Sequence, residues 1–251
     1  FSKNKISINN LDSVVGGSNI FLNGNFDLFA DGGYALDARS KNVSSSAVKQ
    51  VLYGSLPFVH EIVSNLEFRG HTTIGIRGSY GSKNEVNVKV RGDFLRSFGE
   101  SFDFFECNLL ITNRFLSLMP LVLKKVNSSI YTSFKYDFEK ETIDLDVSGE
   151  NIEPQRIDFL QKNFGVFGGS IDFKVSHKGV LGKGRGSASF SMDKLKTNLK
   201  VFDKSSANIT LDKKIITAKM NLFDNQIKLS SWLDLNSFKR SRADLVVKIK
   251  D

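Results

Sequence analysis

Residues 168–190 read GGSIDFKVSHKGVLGKGRGSASF, and the alternation within this stretch decides the fold. Ile171, Phe173 and Val175 alternate with polar residues, and the same period resumes after a glycine-rich turn at 178–184. A period of two is the side-chain period of a β-strand. The stretch therefore predicts two strands that share one apolar face and one polar face.

The composition of the whole chain agrees with a strand-rich, folded protein. Hydrophobic residues make up 40% of the 251 residues and charged residues 25%, which excludes a disordered tail. Phe and Gly are frequent and Pro is rare, which is typical of strands joined by turns. The length allows one large all-β domain or several small units.

The alternating layout recurs at an offset of about 100 to 110 residues, the size expected of a repeated unit. The segment 19–28, NIFLNGNFDL, matches 129–138, SIYTSFKYDF, and the segment 70–94 matches 168–190. The segment 226–235, QIKLSSWLDL, begins a third copy. The first two copies also share a helix-capping pattern at the same place.

These repeats predict a mainly β fold, an elongated and curled antiparallel sheet of groove-like form, with one or two short helices in each repeat. The predicted units are 1–100 with a helix near 46–63, 101–195 with a helix near 153–163, and a partial unit at 196–251. Residues 120–126 are open between a loop and a short helix. The chain starts and stops inside strand-like patterns without a signal peptide, so we expect it to be a fragment of a longer protein.

Several function classes lack the residues that they need. The net charge is +8, but the basic residues are spread at strand spacing, which argues against nucleic-acid binding. Cys107 is the lone cysteine, so no disulfide framework exists, and it is expected to be a small apolar filler. The sequence contains no run of about 18 apolar residues, so it predicts no membrane-spanning helix.

Candidates for catalysis or metal binding also have simpler interpretations. The isolated histidines, His60, His71 and His177, lack ligand-spaced partners and are expected to be surface residues. Asp144 and Asp146 share the polar face of a strand, and nothing in the sequence promises the two different environments that a catalytic carboxylate pair needs. The glycines at 182, 184 and 186 lack the lysine and hydroxyl residue of a phosphate-binding loop. We therefore predict no enzyme activity, no catalytic residues, no metal and no cofactor.

The apolar strand face must be covered by something. A sandwich core, a closed barrel, or a trough that holds an apolar ligand would each cover it. Composition alone favours the sandwich, whereas the repetition favours a groove that lengthens with each copy. The candidate lipid-binding residues of such a groove are Ile20, Leu22, Phe26, Leu28, Ile74, Ile76, Val86, Val88, Val90, Phe94, Ile143, Leu145, Val147, Ile171, Phe173, Val175, Phe190, Ile227, Leu229, Leu233, Leu235, Leu245, Val247 and Ile249.

Three segments carry a resemblance to a known family. GGSIDFKVSHKGVLGKGRGSASF, NIFLNGNFDL and SGENIEPQRIDFL are similar to repeats of AsmA-like and TamB-like proteins of the diderm bacterial envelope. The resemblance implies a long curled sheet with a hydrophobic concave side. It also implies a role in outer-membrane biogenesis, with an inner-membrane anchor and a C-terminal domain outside this fragment.

The predicted function is therefore non-enzymatic lipid transfer. Phospholipids, or other acyl lipids, would cross the periplasm between the inner and outer membranes with their acyl chains on the groove. The resemblance adds an Omp85-type outer-membrane barrel as a partner, and membrane contact through parts outside the fragment. The alternative is a structural or adhesive β-repeat module with a closed core.

Overall fold

A computed structural model describes most of the chain, and the described residues belong to two compact units, Phe1–Lys125 and Val126–Asp251. We call them unit 1 and unit 2. The described residues are 5–28, 32–46, 66–79, 83–97, 99–157, 166–180, 183–197, 201–234 and 242–247.

Unit 1 is an antiparallel sheet whose strands follow one another almost in chain order. Its described strands are β1 (Lys5–Val15), β2 (Ser18–Asp27), β3 (Gly33–Ser44), β4 (Leu66–Ser79), β5 (Lys83–Ser97), β6 (Glu100–Phe102), β7 (Phe104–Thr112) and β8 (Phe115–Lys125). Their order in the sheet is β1-β2-β3-β4-β5-β7-β8, and the short β6 pairs with β5. Apart from β6, each strand thus pairs with its neighbours in the sequence, as is usual for antiparallel sheets.

Unit 2 has the same plan. Its described strands are β9 (Ser128–Asp137), β10 (Thr142–Ile152), β11 (Val166–Val180), β12 (Arg185–Thr197), β13 (Val201–Asp212), β14 (Ile215–Leu222), β15 (Ile227–Asp234) and β16 (Arg242–Val247). They pair in chain order from β9 to β16. Residues of the stretch 168–190 form the β11–β12 hairpin, in which Phe173 stands opposite Phe190.

The predicted fold class is confirmed. The described chain is 85% strand and 3% helical, and its antiparallel sheet is open rather than closed into a barrel. The undecided residues 120–126 belong mostly to a strand, because β8 runs to Lys125. The predicted division at 100 and 195 stays a prediction.

The predicted helices are described only in part. The helix near 46–63 lies outside the described residues except for Ser46, which is helical. Within 153–163, a 3₁₀ helix spans Pro154–Arg156, with proline in its first turn as expected. Pro154 is fully buried, and residues 158–163 lie outside the described chain.

A buried serine lies at the start of one strand in each unit, β2 in unit 1 and β9 in unit 2. Ser18 begins β2, and its Oγ accepts a hydrogen bond from the amide of Ser44 at 3.3 Å. Ser128, 110 residues later, begins β9; its Oγ accepts from the amide of Glu153 at 3.1 Å and donates to the carbonyl of Asn151 at 2.9 Å. The same contact in both places supports the sequence repeat.

Most of the buried side chains lie toward one end of the strands. In unit 1, Val43, Leu95 and Phe105 are the buried apolar residues, between 4% and 8% exposed. In unit 2, Ile152 is buried beside the 3₁₀ helix. Ala207 and Ala218 in unit 2, and Ser40 and Thr72 in unit 1, are also buried. Most other side chains of each apolar face are half-buried or exposed, which is the property that defines the candidate site.

Candidate functional site

The register of unit 1 places one apolar face along all its principal strands, because residues directly opposite each other share a face. Two rows illustrate it. One is Leu11, Leu22, Ala38, Ile74, Val88, Leu109 and Leu118; the other is Ile8, Gly24, Leu36, Ile76, Val86, Ile111 and Leu116. We call this surface the unit 1 face. No Asp, Glu, Lys or Arg occurs in these rows.

Unit 2 has an equivalent surface, which we call the unit 2 face. Two of its rows are Ile130, Gly149, Phe173, Phe190, Ala207, Met220, Leu229 and Leu245, and Phe134, Leu145, His177, Gly186, Leu211, Ile216 and Leu233. These described rows also contain no Asp, Glu, Lys or Arg. Each unit therefore carries its own uncharged face across seven or more strands.

The structure brings the predicted groove residues together within each unit. Those from Ile20 to Val90 lie on or beside the unit 1 face, and those from Ile143 to Val247 lie on the unit 2 face. None of the described predicted residues is buried; Leu245 and Val247 are 63% and 55% exposed. Leu28, just past β2, is 58% exposed. Leu235 and Ile249 lie outside the described residues.

Phe94 is the exception, and its predicted place in the apolar column is corrected. It stands opposite Arg69, whereas Leu95 stands opposite Phe68 and Phe102 on the apolar side. The register shifts between Arg69 and His71, so β5 carries one extra residue there. A β-bulge of this kind moves the following side chain to the other face.

Glycines on the apolar faces make room for the large side chains opposite them. A Cβ on Gly149 would lie 2.1 Å from Cε1 of Phe173, its partner across the strands. A Cβ on Gly92 would lie 2.4 Å from Cε1 of its partner Phe105, and also 2.1 Å from the backbone oxygen of Arg69. The two rings thus occupy space that a side chain at the glycine position would otherwise fill.

His177, which was expected to be a surface residue, is half-buried. It stands between Leu145 and Gly186 on the unit 2 face, and its Nε2 is buried without a hydrogen-bond partner. A Cβ on Gly184 would come 2.9 Å from that nitrogen. His71, by contrast, is exposed as expected, and His60 lies outside the described residues.

The opposite face of each sheet is polar and holds charges of both signs. In unit 2, Lys178 Nζ lies 3.4 Å from Asp144 Oδ2, and Arg185 Nε lies 3.2 Å from Asp212 Oδ1, in both cases directly across neighbouring strands. In unit 1, a depression of about 210 Å³ on this side is lined by Asp37, Thr73, Gly75, Arg77, Glu85, Asn87 and Lys89. Exposed pairs of this kind keep the polar face in water and contribute little stability.

Cys107 lies in the unit 1 face between Val90 and Leu121. Burial raises the pKa of its thiol to about 11, because the thiolate would be poorly solvated there. An apolar, protonated thiol of this kind is unreactive.

Within the described chain, no three His, Cys, Asp or Glu side chains are grouped to hold a metal ion. No helix among the described residues has the length and apolar character to span a membrane. Comparisons with protein-family models, curated proteins and solved structures found no match to this chain.

Proposed function

We propose that this chain is a non-enzymatic lipid-transfer module, which shields phospholipid acyl chains on the unit 1 and unit 2 faces. The observation that carries the proposal is that the rows defining both faces are free of charged side chains, while the predicted groove residues stay partly exposed. A surface of this kind costs free energy in water and gains it when hydrocarbon covers it.

The binding free energy expected for an acyl chain would allow the lipid to move along each face. Each methylene moved out of water contributes about 0.8 kcal/mol, so a partly covered acyl chain gains several kcal/mol. The gain is spread over many equivalent side chains such as Ile74, Val88 and Leu229. No single contact then traps the lipid, and its headgroup remains in water.

The sequence resemblance supports the cellular setting of the proposal. AsmA-like and TamB-like repeats imply a periplasmic protein with an inner-membrane anchor, transport between the two membranes, and an Omp85-type barrel as partner. In this proposal the fragment supplies the groove, and membrane contact comes from the rest of the longer protein.

The alternative, a structural or adhesive module, is favoured by the buried ends of the sheets. Val43, Phe105 and Ile152 are 5% exposed or less, as in an ordinary core. If the whole of each face were packed in that way, a charge on it would sit among apolar side chains and unfold the unit.

One pair of substitutions on adjacent residues of β15 separates the two functions. Leu229 lies on the unit 2 face between Met220 and Leu245, and the exposed Ser230 points to the polar face. Leu229→Asp should weaken binding of a fluorescent phospholipid at least tenfold while the protein stays folded. Ser230→Asp adds the same charge and should bind as the unaltered protein does. Unfolding by Leu229→Asp would favour the closed core, and unchanged binding in a folded Leu229→Asp protein would refute the groove.

A further inference from the structure

Two buried hydroxyls lie side by side in the unit 1 face. Ser40 of β3 stands directly opposite Thr72 of β4, and each is 6% exposed. Neither Ser40 Oγ nor Thr72 Oγ1 has a hydrogen-bond partner. Buried polar atoms are nearly always paired, because an unpaired one loses its hydration without compensation. The pair is therefore suited to a hydrogen-bonding group from outside the chain.

The surroundings restrict that group to a neutral one. Along β3 and β4 the pair is followed by Ala38 and Ile74 on one side and by Val43 and Gly70 on the other. Val90 lies across from Thr72 on the next strand. With no cation among these neighbours, a phosphate or carboxylate would be left as an uncompensated buried charge. A bare hydrocarbon, in turn, would leave both hydroxyls unpaired.

Resting on the function proposed above, we propose that Ser40 and Thr72 bind the ester carbonyl of a lipid whose acyl chain lies on the unit 1 face. A carbonyl oxygen has two lone pairs and accepts a hydrogen bond from each hydroxyl. The acyl chain continues over the apolar rows next to the pair, such as that of Ala38, Ile74 and Val88. Binding requires the packing that now buries the two oxygens to open. The site thereby recognises acyl esters in preference to hydrocarbons.

The test compares two neutral ligands of similar length, methyl laurate and tridecane, as competitors for a bound fluorescent acyl probe. The unaltered protein should prefer the ester by about tenfold, the worth of one or two net hydrogen bonds. The double variant Ser40→Ala/Thr72→Val should lose this preference and still bind tridecane. Thr132→Val removes a half-buried hydroxyl from the unit 2 face and should keep the preference.

Thermal unfolding of the same variants adds a second readout. Since the hydroxyls are unpaired in the free protein, their removal should leave the melting temperature unchanged or raise it. An ester preference that survives in Ser40→Ala/Thr72→Val would overturn the inference, whether or not stability falls. Equal competition by both ligands in the unaltered protein would refute the ester contact alone. Failure of both ligands to compete would refute the groove as well.

Discussion

The ring of Phe173 lies against Gly149, its direct partner across β10 and β11, so that a methyl group on Gly149 would come 2.1 Å from Cε1 of the ring. Phe105 and Gly92 repeat this arrangement in unit 1. Pairing an aromatic ring with a glycine covers backbone that would otherwise be exposed and stabilises the sheet at a position without a side chain. The glycines in the apolar columns are thus part of the packing of these faces.

Gly149→Ala should therefore destabilise unit 2. The added methyl displaces the Phe173 ring, and overpacking of this kind costs about 1–3 kcal/mol. Denaturant unfolding followed by circular dichroism measures the change. The control is Gly75→Ala on the polar face, where the nearest atom to the new Cβ is Asp37 Oδ1 at 3.3 Å.

A double-mutant cycle isolates the contact between ring and glycine. Once Phe173→Ala has removed the ring, Gly149→Ala has no clash to create, so the two losses should be less than additive. Additive losses would mean that Gly149 is required for its backbone conformation and not for the ring.

Ser128→Ala should also destabilise unit 2, by about 1–3 kcal/mol, because it leaves the amide of Glu153 without its acceptor. The hydroxyl lost is buried, at 8% residue exposure. The neighbouring half-buried Ser129 provides the matched control, and Ser129→Ala should change the free energy of unfolding far less. Equal effects of the two substitutions on the free energy of unfolding would show that the hydrogen bond from Glu153 to Ser128 does not stabilise unit 2.

The single thiol gives a prediction about pH. Burial raises the pKa of Cys107 from 9.0 to about 11, so the unfolded chain loses this proton first as the pH rises. The stabilising contribution of the neutral thiol is complete below pH 9.0 and is lost as the pH approaches 11. Denaturant unfolding across this range should show the loss in the unaltered protein and not in Cys107→Val.

Alkylation by iodoacetamide measures the same shift more simply. At pH 8 the native thiol should react about 100-fold more slowly than the unfolded one, since its thiolate fraction is smaller by that factor. Similar rates in the two states would place Cys107 in water and contradict the apolar position assigned to it.

Alternation alone predicted which residues share the apolar faces, because the side-chain period of two survives along most strands. Ile171, Phe173 and Val175 lie together as expected, with Met192 and Phe190 opposite the first two. The glycine-rich turn at 178–184 was also predicted to join two strands, and these strands pair as the β11–β12 hairpin.

Bulges limited the prediction, since an extra residue reverses the alternation without a distinctive sequence pattern. Because of the bulge near Gly92, Leu95 lies on the apolar side where Phe94 was predicted. A second register shift, between Cys107 and Leu109, lies opposite Met119 and Pro120. Proline has no amide proton for the ladder and is tolerated in β8 at such an irregularity, which is why this segment could not be assigned from its residues.

The hydroxyl pair and His177 were not identified from the sequence for a different reason. Ser40, Thr72 and His177 look like ordinary polar residues within alternating segments. Their lack of partners depends on the side chains packed around them, which a single sequence does not specify. For His177, the alternation could have predicted its place on the apolar face, because it follows Val175 by two residues on the same strand.

The central claim, that acyl chains lie on the apolar and not the polar face, is tested most directly by contact quenching of tryptophan. Trp232, the sole tryptophan, is 36% exposed and pairs with Thr217 and Arg242 on the polar face of unit 2. Its neighbour Leu233 lies on the unit 2 face opposite Ile216.

Phospholipids with brominated acyl chains quench a tryptophan that they touch, and unbrominated lipids serve as the control. We expect strong quenching in Trp232→Phe/Leu233→Trp, whereas the native Trp232 should be quenched little by the same bound lipid. Equal quenching at both positions, or quenching of Trp232 alone, would contradict a lipid-binding apolar face.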